Sequence, residues 1–187
     1  MLSKEFTEIL YNQHRSLVIV WVALLISLGI FLFIPDLDFK HLPRPETYPH
    51  ADDIRKILSV MVLITVAFLL LAKSRLNTVE AIFRGSREPT REKSEKGETP
   101  VEKGAARVVS YYCSRMAVSF ALAETIAIYG LVLALIGPYK WEQQILSLIS
   151  GVLLVYFFPS RIFFDDLITE YETREARNES RVFTRIG

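Results

Sequence analysis

MAVSFALAETIAIYGLVLALI, residues 116–136, carries a single charged side chain, Glu124, near its middle. A helix rises about 1.5 Å per residue, so about 20 residues cross a hydrocarbon core of about 30 Å. The stretch therefore reads as a membrane-spanning helix. An ionised carboxylate at the centre of such a helix costs roughly 2.5–3.5 kcal/mol on insertion scales. Glu124 is then protonated, partnered or used, and it is the strongest pointer to function in the chain.

Working outward, three more apolar runs stand out: Leu17–Ile34, Ile54–Ala72 and Ile145–Phe158. Hydrophobic residues make up 51% of the 187 and charged residues 23%, so the two classes must be segregated along the chain. The first two runs are long enough to span. The last is short alone, but Trp141 and Tyr156–Phe158 supply interfacial aromatic anchors that complete a span. A re-entrant or surface-lying segment is the alternative; Glu142, Gln143 and Gln144 gather at one end rather than along one face, which favours a span. The expected fold class is an all-α integral membrane protein with four transmembrane helices.

Lys and Arg set the orientation. The segment from Lys73 to Arg115 holds ten of them and the tail from Arg161 five, whereas Pro35–Asp53 has only Lys40 and Arg44, and Gly137–Gln144 only Lys140. Positive-inside counting places both termini and the Lys73–Arg115 segment in the cytoplasm, most naturally of a bacterial inner membrane. An even number of spans requires the two ends to agree, and they do. The first run starts late, is long and ends at Ile34-Pro35, so it reads as a signal anchor rather than a cleavable signal peptide.

The remaining segments are short. Leu2, Phe6, Ile9 and Leu10 recur at helical spacing, giving an amphipathic lead-in over 1–16. Residues 17–84 read as the first transmembrane hairpin, extended into the cytoplasm by a helix bearing Leu76, Val79, Ile82 and Phe83. Residues 85–106 read as a charged cytoplasmic linker, too poor in apolar surface to fold alone. The second hairpin is expected at 107–160. A cytoplasmic amphipathic tail follows at 161–187, with Ile162, Phe163, Phe164, Leu167, Ile168 and Tyr171 on its apolar face.

Several function classes find no support. The net charge is +1, and basic residues interleave with Glu and flank spans, so nothing points to nucleic acid. Phosphate-loop, dinucleotide-binding and nucleophile-elbow motifs are missing, so neither an enzyme nor an organic cofactor is expected. Asp36, Asp38, His41, Glu46, His50, Asp52 and Asp53 are metal-ligand types in no recognised spacing, within a proline-rich strap; no metal is expected. His14 reads as interfacial. Cys113 has no second cysteine to pair with.

In the third span Ser119, Ala123, Ala127, Gly130, Ala134 and Gly137 follow the helical period and form one small-residue stripe. Such stripes let helix backbones approach closely in lipid. Glu124 lies about one hundred degrees from the stripe centre, flanking a helix contact. Ser119 and Thr125 offer hydroxyls nearby, and Tyr129 follows one and a half turns on.

The run Ala121–Ala134, with Glu124 followed by Tyr129-Gly130-Leu131-Val132, resembles the second helix of the proteolipid, or c, subunit of rotary ATP synthases. The resemblance implies an ion-binding carboxyl at Glu124, with Tyr129 as a packing or hydrogen-bonding neighbour and a proton or sodium ion as ligand. It covers only about residues 115–137. Ile54–Ala72, which stands where the family has a glycine-striped helix, contains no glycine. Two functions are therefore expected in order. One is a non-catalytic polytopic subunit or scaffold, packing against other membrane subunits or itself. The alternative is a proton- or cation-binding component of an energy-transducing complex using Glu124.

Overall fold

The computed structural model describes residues 2–34, 50–76, 78–86 and 99–186, with backbone only at 74–76 and 178–186. Every element among them is α-helical: α1 Lys4–Phe33, α2 Ala51–Leu76, α3 Val79–Gly85, α4 Pro100–Ile136, α5 Lys140–Tyr156 and α6 Arg161–Ile186. Four of the helical stretches are long and apolar enough to cross a membrane. Of the ligand-type residues in the outer strap, those from Asp36 to Glu46 fall outside the described residues.

Local signals explain most helix ends. Ser3 caps α1, its hydroxyl accepting from the Phe6 N–H at 3.3 Å. At α4, Thr99 and Glu102 form a reciprocal capping box. The Glu102 N–H donates to the Thr99 hydroxyl (3.3 Å) and the Glu102 carboxylate accepts from the Thr99 N–H (3.0 Å). Pro100 occupies the first helical position, where its missing N–H costs nothing. The expected linker over 85–106 is consequently helical from Pro100 onward. The expected helical extension of the second span is interrupted. α2 ends at Leu76, and α3 begins afresh with the Thr78 hydroxyl accepting from the Ala81 N–H.

Pro159 separates α5 from α6, because it cannot donate to the carbonyl four residues back. Side chains from other helices take up carbonyls at the break. The Trp21 indole N–H donates to the Leu154 carbonyl (2.8 Å), the Lys73 ammonium to Tyr156 (3.2 Å) and His14 Nε2–H to Pro159 (3.1 Å). The expected fourth apolar run falls in α5, which starts five residues before Ile145 and includes Trp141, within a membrane-compatible helical stretch over Lys140–Arg177.

The chain divides into two compact units. The first comprises Met1–Val18, Asn77–Met116 and Pro159–Gly187. It buries Phe6, Leu10, Ile82, Phe83, Val108, Val109, Tyr112, Phe164 and Leu167. Tyr171 donates to the Val101 carbonyl at 2.8 Å, an approach that requires Gly104, since a Cβ there would collide with the Tyr171 hydroxyl. Ile162, expected on the apolar face of the tail, is exposed; it lies two residues from Phe164 and so points to the far side of α6.

The second unit comprises Ile19–Leu76 and Ala117–Phe158. Its polarity is the reverse of a water-soluble bundle. Gln143, Ser147 and Ser150 are fully or almost fully buried, while Ile26, Leu63, Ile64, Leu148 and Val152 are exposed. In water exposed apolar area on that scale is unfavourable, whereas hydrocarbon is as apolar as these side chains and removes the penalty. These are membrane-compatible helices with lipid-facing surfaces.

Candidate functional site

Glu124 lies on α4 in the second unit, half-buried, and the Ser27 hydroxyl of α1 donates to its Oε1 at 2.9 Å. α1 and α4 thus place a donor against the carboxyl across 97 positions of chain. The sequence-predicted neighbours contribute differently. Thr125 turns its hydroxyl to the Ala121 carbonyl of its own helix, at 2.8 Å. Tyr129 is half-buried, and among the described residues no hydrogen bond joins it to Glu124. Ser119 is buried on the stripe.

The stripe packs as its spacing suggests, and its neighbour belongs to the same chain. Ser119, Ala123, Ala127 and Gly130 are buried, and Ala134 and Gly137 half-buried. A Cβ on Gly130 would sit 3.1 Å from the Cα and the carbonyl oxygen of Gln143, and 3.1 Å from Leu146 Cβ. Gly130 therefore admits the α5 backbone itself. At Gly130 the helix that the stripe admits is α5 of the same chain, because the turn after Ile136 folds α5 directly back.

α5 contributes polar groups that sequence reasoning passed over. Gln143 was read as one of a cluster at a helix end, yet it is fully buried, its Nε2–H donating to the Phe31 carbonyl at 2.8 Å. Gln143 Oε1, Ser147 Oγ and Ser150 Oγ are buried without a hydrogen-bond partner among the described residues. An orphaned buried polar group costs about 1–3 kcal/mol. The 143, 147, 150 spacing puts all three on one helix face, which was the available signal. Their depth can be counted. Phe31 meets Gln143 and Trp21 meets Leu154, so α1 and α5 run antiparallel, and Ser27 falls near the level of Ser147. On α4, Gly130 meets Gln143 and Leu146, and Glu124 lies six residues deeper, near the level of Ser147 and Ser150.

The ends of the second unit are polar in the ordinary way. Tyr139 donates to Asp52 at 2.7 Å, and Arg55 pairs with Glu142 at 3.0 Å while lying over the Tyr139 ring. These half-exposed pairs contribute little stability. At the other end the Lys73 ammonium sits 5.1 Å from the Tyr156 ring centroid and 5.4 Å from that of Phe157. In the first unit a groove of about 550 Å³ is lined by Thr78, Val79, Glu80, Asp166, Thr169, Glu170 and Arg174. Among the described residues no three His, Cys, Asp or Glu side chains are grouped to hold a metal ion.

Compared with known proteins, the chain matches no family model, no curated protein and no solved structure. The likeness of its third span to the proteolipid helix rests on the residues of that span alone. Chemically, the arrangement offers one intramembrane carboxyl with a fixed hydroxyl donor, at the depth of two orphaned hydroxyls.

Proposed function

We propose that the chain is a non-catalytic polytopic membrane subunit or scaffold that packs in a bacterial inner-membrane complex, with both termini and the Lys73–Arg115 segment in the cytoplasm. One observation carries this reading: the long-range side-chain hydrogen bonds tie helix to helix. Trp21, Lys73, Gln143 and Tyr171 each donate to a backbone carbonyl of another helix, and Tyr11 and Tyr139 to carboxylates on other helices. Polar groups spent on mutual positioning suit a rigid subunit. The amphipathic lead-in and tail would then provide cytoplasmic contacts. Mild-detergent isolation of the tagged chain from native membranes, with mass spectrometry of what remains bound, tests it. Another membrane protein is expected in fixed stoichiometry. Recovery of the chain alone as a monomer would overturn the proposal.

A second reading is favoured by the Ser27–Glu124 hydrogen bond: Glu124 takes up and releases a proton within the membrane. A carboxyl held by a neutral hydroxyl, with no cation paired to it among the described residues, is placed to exchange a proton rather than to stabilise an ion pair. Such a group would serve an energy-transducing partner that completes the path.

A further inference from the structure

We propose that Gln143, Ser147 and Ser150 form a proton-access file along one face of α5, leading from the Tyr139–Gln143 end of the second unit to the Glu124 carboxyl. The inference rests on the second reading above, in which Glu124 exchanges a proton. Three observations carry it. The three side chains are fully or almost fully buried, and each holds a polar oxygen with no hydrogen-bond partner among the described residues. They recur at i, i+4 and i+7, so they lie on one face in a line about 10 Å long. The far end of that line is at the depth of Glu124, as the pairings of Phe31 with Gln143 and Trp21 with Leu154 fix.

The ligand is a proton rather than a metal cation, and the geometry decides it. Oxygen shells around hard cations such as calcium close at 2.3–2.6 Å. A row of oxygens about 10 Å long is a file and not a shell. Moreover Ser27, the donor fixed on Glu124, already commits its proton to the carboxyl, and Gln143 commits its Nε2–H to Phe31. The uncommitted atoms are one amide oxygen and two hydroxyls. Hydroxyls both donate and accept, so each can receive a proton from one side while passing its own onward. Water joining them would find the two to four polar partners that a buried water needs. No bond other than O–H forms or breaks. Gln143 Oε1 only accepts and orients a water, and that water passes a proton through the Ser147 and Ser150 hydroxyls, each gaining one O–H as it loses another. The proton ends on Glu124 and leaves by the reverse route.

The other acidic and basic side chains described in this unit, His50, Asp52, Asp53, Arg55, Lys56, Lys73, Lys140 and Glu142, stand at or near helix ends. They leave Glu124 as the terminus of the file.

The test uses the full chain in lipid vesicles. Infrared spectra would follow the carboxyl band that disappears in Glu124→Gln, and the rate at which it shifts on transfer into heavy water. The double variant Ser147→Ala, Ser150→Ala should slow that shift by about tenfold or more, as expected for the loss of about one hydrogen bond's worth of free energy. A purely structural pair of serines would leave the exchange rate unchanged. Exchange at the wild-type rate in the double variant overturns the file while leaving Glu124 exchangeable. A wild-type spectrum with no band assignable to Glu124, at any near-neutral or mildly acid pH, overturns the second reading and the file with it.

Discussion

Gly130 and Glu124 lie six residues apart on α4, and packing at the first outweighs polarity at the second. The Gly130 position faces backbone, with the Cα and carbonyl oxygen of Gln143 3.1 Å from where a Cβ would stand. Backbone cannot rotate away as a side chain can. Gly130→Leu should therefore destabilise the isolated monomer by about 1–3 kcal/mol or more. Glu124→Gln keeps an acceptor for the Ser27 hydroxyl and should cost no more than about 0.6 kcal/mol, the average for side-chain hydrogen bonds between membrane helices. Unfolding in mixed micelles gives both values. A Gly130→Leu monomer as stable as wild type would show that α5 does not seat on that surface. At this scale the sequence displayed Glu124 clearly, since one charge in an apolar run is a local signal. Its donor was not legible. Ser27 is one of several hydroxyls in the spans, and only the tertiary pairing of α1 with α4 selects it. Gln143 does lie in the first turn of α5, but its burial was not legible, because Glu142 and Gln144 beside it are ordinary polar residues of a helix end.

Elements were legible where length decides and less so where a few residues decide. Apolar runs of about 20 residues announce spans through the thickness of hydrocarbon alone. The start of α4 was hidden inside a charged stretch, although Thr99, Pro100 and Glu102 together spell a capping box with proline at the first helical position. The break between α2 and α3 was hidden for the opposite reason. Leu76, Val79, Ile82 and Phe83 keep helical period straight through Thr78, so periodicity runs on where a hydroxyl cap ends it. The capping box carries a pH dependence. Glu102, outside the apolar run of α4, accepts from Thr99 and from the Ser3 hydroxyl, and these bonds hold its carboxyl below the usual range near 4.3. A depressed folded-state pKa contributes stability that is in place above the unfolded-state value and fades as pH falls through the folded one. Glu102→Gln should thus speed amide exchange in the first turn of α4 at neutral pH. Its difference from wild type should close below the carboxylate range. A difference that persists unchanged into strong acid would contradict the cap.

At the scale of the whole molecule, connectivity constrains how the chain crosses a bilayer. The first unit is assembled from three segments, Met1–Val18, Asn77–Met116 and Pro159–Gly187. Ile19–Leu76 and Ala117–Phe158 run between them and carry the apolar stretches in pairs. If the three segments of the first unit share one side of a membrane, as the proposed topology has it, each intervening segment crosses an even number of times. Two hairpins satisfy this and three spans do not, an argument independent of any charge count. Charge would then choose the side: in the proposed orientation the basic residues from Lys73 to Arg115 and in the tail put it in the cytoplasm. Single cysteines in a Cys113→Ser background test both steps in intact cells with a membrane-impermeant maleimide. His50→Cys, at the start of α2, should react before lysis, and Lys103→Cys and Arg177→Cys only after it. Reaction of all three under the same condition would refute the paired hairpins, because His50 and Lys103 are separated by the one span of α2. The mirrored pattern, with Lys103→Cys and Arg177→Cys reacting first, would keep the hairpins and reverse the orientation, showing that the basic segments lie on the outer face.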